Sequence, residues 1–79
     1  MSIRFVTEAF RKGLDGKASC SAATMKYERD DETGKERQVL TFYVQPQNGE
    51  MKPFTYRIDG SADPVACASD AAKQYLETL

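Results

Sequence analysis

Few residues in this chain are able to do chemistry. There is no histidine. That removes imidazole acid–base catalysis, Ser–His and Cys–His nucleophile pairs, and histidine-ligated metals. Cys20 and Cys67 are the only thiols, they do not form a CxxC pair, and two ligands cannot close a zinc site. Cys67 falls in the first turn of a helix expected to open at Pro64, where the helix dipole favours a thiolate. It has no histidine to act as its base. Burial as a small apolar side chain is the plain reading of both cysteines, and a redox or intermolecular bridge is the other. No phosphate loop, GxGxxG, nucleophile elbow or zinc signature occurs. The expectation is a protein without catalysis, cofactor or metal.

The carboxylates are the second reservoir of chemistry. Asp30, Asp31 and Glu32 are adjacent. A calcium loop needs oxygen ligands at staggered positions, and this run lacks that spacing. A general acid needs a sheltered carboxyl, and an expected hairpin tip shelters none. A solvated loop is the plain reading, and contact with a basic partner is the functional one. Glu36 and Glu50 continue the acidic stretch, and Tyr43 lies on the adjoining sheet face. Asp30, Asp31, Glu32, Glu36, Tyr43 and Glu50 are therefore the candidate partner-binding residues. Asp59, Asp63 and Asp70 extend the acidity toward the last helix, although Asp63 is also that helix's expected cap.

Charge is polarised along the chain. The 11 Lys+Arg and 12 Asp+Glu leave a net charge of -1, which excludes a generally basic nucleic-acid binder. Yet residues 1–29 hold Arg4, Arg11, Lys12, Lys17, Lys26 and Arg29 against three acids, whereas residues 30–50 are mainly acidic. With 79 residues the chain is one domain, 1–79, with a thin core that self-association into a homodimer would help. No stretch approaches the roughly 20 apolar residues of a membrane span. Met1-Ser2-Ile3-Arg4 lacks an apolar signal core. Two cysteines are too few for a disulfide scaffold. Together these predict a cytoplasmic protein.

The elements that must position these groups follow from periodicity. Ile3, Val6, Phe10 and Leu14 recur every three to four residues, one face of a helix over 3–14. Ser2 or Thr7 would cap it, and Gly13 and Asp15-Gly16 would stop it. A short strand over 3–6 before a shorter helix is the rival reading. Residues 21–29 alternate, with Ala23, Met25 and Tyr27 on one face, and form a strand; Cys20 falls just before it. Residues 30–35 are a hairpin loop with Gly34 at positive φ. Residues 37–45 are the second strand. Pairing Tyr27 with Leu40 leaves a loop at 32–35 and puts Leu40, Phe42 and Val44 on the face of Met25 and Tyr27.

Phe54, Tyr56 and Ile58 alternate along a third strand. A tight Asn48-Gly49 turn would place them on the opposite face, with Val39 and Tyr43. Pro46 and Pro53 favour a longer loop or bulge, which restores one shared core face. Asp63-Pro64 opens the last helix, which runs to about Thr78. Its stripe is Val65, Ala68, Ala72, Leu76 and Leu79, joined by Ala71 and Tyr75. Gly13, Gly16, Gly34, Gly49 and Gly60 all fall at element ends. The fold is α+β: a two-layer sandwich of helix, three-stranded antiparallel meander and helix, both helices on one sheet face. The other face shows Thr24, Lys26, Glu28, Val39, Thr41, Tyr43, Thr55 and Arg57. Tyr43 among Lys and Arg suits base stacking or a protein interface.

This order of elements resembles the double-stranded RNA-binding domain. The stretch matching that family's last helix, residues 63–73 from Asp63-Pro64 to Lys73, carries one late Lys and two Asp where the family places a basic cluster. The resemblance thus implies topology rather than phosphate binding. A small, single-domain, acidic-leaning chain without histidine is also similar to phage-encoded inhibitors of the anti-CRISPR type. Charge carries this likeness, through Asp30, Asp31, Glu32 and Glu36, with Glu50, Asp59, Asp63 and Asp70. It implies a CRISPR effector complex as partner, its nucleic-acid-binding Arg and Lys being covered by carboxylates. The expectation is a non-enzymatic inhibitor or adaptor. The alternative is a nucleic-acid-binding module using Arg11, Lys12, Lys17, Lys26 and Arg57. A small enzyme centred on Cys67 comes third.

Overall fold

Helix α1 spans Ile3–Leu14, and it buries Val6, Phe10 and Leu14 completely or nearly so. A computed structural model describes residues 3–58 and 62–79 of the chain. Ile3, placed on the same stripe by its spacing, sits at the exposed margin. Thr7 is not a cap. It lies inside the helix and its hydroxyl donates to the Ile3 carbonyl at 2.9 Å. Ser2, the other expected cap, lies outside the described residues. The helix ends at two left-handed residues, Asp15 at φ 52° and Gly16 at φ 74°. Gly13 is no terminator. It lies within α1 where α2 crosses, and a Cβ there would fall 2.6 Å from the Ala72 Cβ. Gly60 is outside the described residues.

The sheet has the order β1-β2-β3, all antiparallel, with β1 Ala18–Arg29, β2 Glu36–Pro46 and β3 Lys52–Ile58. Strand β1 starts earlier than alternation alone predicts. A bulge between Cys20 and Ala22 resets the pairing, so Cys20 lies within the strand, opposite Val44. Tyr27 faces Gln38 rather than Leu40, and Met25 faces Leu40. The loop is therefore 30–35 rather than 32–35. A shift of two residues preserves side-chain parity, so the expected faces survive.

The second hairpin pairs Val44 with Lys52, Phe42 with Phe54 and Leu40 with Tyr56. That leaves 47–51 as a loop, with no tight Asn48-Gly49 turn, and returns Phe54, Tyr56 and Ile58 to the core face. Pro46 shapes the loop, accepting a hydrogen bond from the Gly49 N–H at 3.3 Å.

Helix α2 spans Pro64–Glu77. The Asp63 carboxylate accepts from the Val65 N–H at 3.1 Å, and Pro64 begins the helix as expected. Ala68, Ala71 and Ala72 are fully buried, and their small size lets α2 lie close to α1. Leu79 is not part of the stripe; it is exposed beyond the helix end. One cluster joins α1, the inward sheet face and α2, and it includes Val6, Phe10, Leu40, Phe42, Ile58 and Ala72. The fold is thus the α+β helix–meander–helix sandwich. Among the described residues no helix is long and apolar enough to cross a membrane.

Candidate functional site

Among the described residues the first hairpin extends beyond the other elements. Strand β3 stops at Ile58, opposite Gln38, while β1 and β2 continue to Arg29 and Glu36. The helices do not cover this end either: Tyr27, on the helix side of the sheet, is 67% exposed. Backbone and side-chain bonds hold the tip in shape. The Asp30 N–H donates to the Lys35 carbonyl at 2.8 Å, and the Gly34 N–H donates to the Asp30 carbonyl at 2.7 Å. Gly34 supplies the left-handed turn at φ 72°.

The acidic residues at this tip divide into two roles. Asp30 builds the turn. One carboxylate oxygen accepts from the Glu32 N–H at 2.9 Å, and the other pairs with Arg37 at 3.0 Å. The Glu32 N–H chiefly, with help from Thr33 and Arg37 and against some burial, holds its carboxyl below the ordinary value. Asp31, Glu32 and Glu36 are exposed, and among the described residues their carboxylates form no ion pair. Arg29, Lys35 and Arg37 are the nearby opposing charges in the sequence.

Tyr43 and Glu50 do not join this group. Tyr43 is on the outward sheet face toward the far end of β2, partly exposed. Glu50 is exposed in the 47–51 loop. The length of β2 separates that loop from the first hairpin tip, about 30 Å at the usual strand rise. The six candidate residues therefore occupy two ends of the sheet. Asp63 serves as the helix cap, and Asp59 lies outside the described residues.

The outward face carries the side chains its alternation predicts. Val39 lies in one row with Lys26 and Arg57 and is 2% exposed, although among the described residues no second layer covers that side. A shallow depression of about 310 Å³ lies here, lined by residues that include Lys26, Glu28, Val39, Thr41 and Arg57. Arg57 pairs with Glu28 at 3.2 Å. Such an exposed pair contributes about 0–1 kcal/mol.

The expected basic set is dispersed. Arg11 donates to the Cys20 carbonyl at 2.9 Å and the Ser21 carbonyl at 3.4 Å, and pairs with Glu8 at 3.0 Å. It therefore braces the β1 bulge. Lys26 and Arg57 lie on the outward sheet face, whereas Lys12 borders a groove between the helices. These groups present no continuous track for a phosphate backbone.

Both cysteines are free. Cys20 is buried, its thiol donates to the Ala22 carbonyl at 3.3 Å, and burial raises its pKa. Burial also raises Cys67, and Asp70 and Asp63 add to the shift. This direction runs against the thiolate that a first-turn position favours. Among the described residues no cluster of His, Cys, Asp and Glu is arranged to hold a metal.

The helix groove is a feature that sequence reasoning missed. It encloses about 680 Å³ between α1 and α2, with Phe5, Ala9, Gly13 and Val65 as apolar lining and Lys12 and Lys73 at its sides. Phe5 is 63% exposed. The available signal was Phe5 itself, an aromatic residue off the Val6–Phe10–Leu14 stripe.

The geometry defines a small α+β protein with a projecting, partly acidic hairpin. Comparison of the chain with protein-family models, curated proteins and solved structures gives no significant match.

Proposed function

We propose that this is a non-enzymatic binding protein, an inhibitor or adaptor of the anti-CRISPR type. It covers a basic, nucleic-acid-binding surface on a partner protein in the bacterial cytoplasm. One observation carries this reading. The first hairpin reaches past β3 and the helices, and its internal bonds use Asp30, while Asp31, Glu32 and Glu36 make no ion pair among the described residues. Exposed carboxylates carried on an ordered turn favour Arg and Lys that otherwise hold phosphates. Tyr43 and Glu50 then belong to the interface only if the partner spans the length of the sheet. The nucleic-acid-binding alternative is less well supported, because Arg11 is engaged with β1 and the other cations are scattered.

The test is capture from nuclease-treated bacterial lysate by the immobilised chain and by the Asp31→Lys/Glu32→Lys variant. Asp30 is spared because it forms the turn. A partner retained by the parent chain and lost by the variant supports the proposal. Equal retention by both, or recovery of nucleic acid alone from untreated lysate, overturns it.

A further inference from the structure

The three-stranded sheet has two open edges, and they differ. On β3, Pro53 has no N–H to offer. On β1, α1 guards the first part, with Arg11 bonded to the carbonyls of Cys20 and Ser21. Beyond the bulge the edge is open. The Asp30 N–H to Lys35 bond fixes the phase of the ladder. Counting back along the register, Glu28, Lys26 and Thr24 bond to β2. Ala23, Met25, Tyr27 and Arg29 therefore point their N–H and C=O groups away from it. The same phase turns the Pro53 nitrogen outward on β3, the position where proline is tolerated. Among the described residues no backbone group occupies the outer side of this part of β1.

We infer that this edge pairs antiparallel with the same edge of a second copy of this chain. The two-fold axis passes beside Tyr27 and makes one six-stranded sheet. Charge selects that register. With Tyr27 facing the second copy's Tyr27, these two residues exchange main-chain bonds, and Met25 of each copy exchanges them with Arg29 of the other. On the outward face Lys26 then stands opposite Glu28 of the other copy, twice by symmetry.

The neighbouring registers fail. Moving the axis one way sets Lys26 against Lys26, and moving it the other sets Glu28 against Glu28. An edge lysine ordinarily blocks strand addition. Here it admits one partner, the one that brings Glu28. Tyr27, 67% exposed in the single chain, lies beside the axis and is covered by its twin. This inference does not rest on the proposed function.

The experiment is sedimentation velocity over a concentration series. The parent chain sediments as a dimer at the upper concentrations. Lys26→Glu puts like charges opposite one another and raises the dissociation constant about tenfold or more. The double variant Lys26→Glu/Glu28→Lys exchanges the charges and restores dimerisation. Tyr27→Pro removes a donor that points away from β2, so the monomer keeps its ladder and the dimer is lost. Circular dichroism verifies the fold of each variant. A parent chain that stays monomeric throughout, a dimer that survives Tyr27→Pro, or a charge exchange that fails to restore it overturns the inference.

Discussion

Phe10 of α1 stacks on Phe42 of β2, ring centroids 3.9 Å apart and planes 5° from parallel. Both rings are fully buried. This contact ties the helical layer to the central strand and so fixes the platform from which the first hairpin projects.

Phe10→Ala empties that contact. Truncating a buried phenylalanine costs about 3–5 kcal/mol, a large share of the roughly 5–15 kcal/mol that stabilises a native domain. Urea unfolding of the variant will show a markedly lower midpoint, or no cooperative transition. A shift below about 1 kcal/mol contradicts the stacking seen here.

Gly13→Ala gains about 1 kcal/mol of helix propensity. The new methyl group, however, lands on Ala72, and overpacking costs about 1–3 kcal/mol. The net expectation is loss of stability. Pairing it with Ala72→Gly removes the clash, so the two changes are non-additive. A double-mutant cycle with no coupling refutes the close helix crossing.

Asp30 links stability to pH. Its folded pKa lies below the ordinary 3.8. The unfolded chain therefore binds the proton more readily, and the carboxylate's stabilisation is fully present above the ordinary value. It fades as pH falls toward the folded pKa. Asp30→Asn loses that stabilisation, so the gap between parent and variant is constant near neutrality and closes in acid. A gap independent of pH down to pH 2 shows that the turn does not use the charge.

Cys20 and Cys67 have thiol pKa values raised above the ordinary 9.0. Alkylation by iodoacetamide at pH 8 will be slower than for a free thiol, and slower at Cys20, which is 6% exposed. Asp70→Asn removes a charge that opposes the Cys67 thiolate and accelerates its modification. Rapid labelling of Cys67 in the parent chain restores the reactive-thiol reading.

Much of this fold is legible from short stretches of sequence. The stripe of Val6, Phe10 and Leu14, the alternation of Phe54, Tyr56 and Ile58, and the Asp63-Pro64 helix start each depend on residues a few positions apart. Helix and strand periods and caps are local physics, so order, class and inward faces can be read from them. The acidic run and its hairpin tip are legible for the same reason.

What the tertiary structure alone decides involves residues distant in sequence. The bulge that draws Cys20 into β1 arises from pairing with Val44. The division between Asp30, which builds the turn, and Asp31 and Glu32, which make no ion pair among the described residues, requires Arg37 and the Glu32 N–H in place. Gly13 reads as a helix stop until Ala72 is set against it. Tyr43 and Glu50 read as one site with the acidic tip until β2 is drawn out between them. Composition and period constrain which way a side chain faces; only register and close packing determine what it meets.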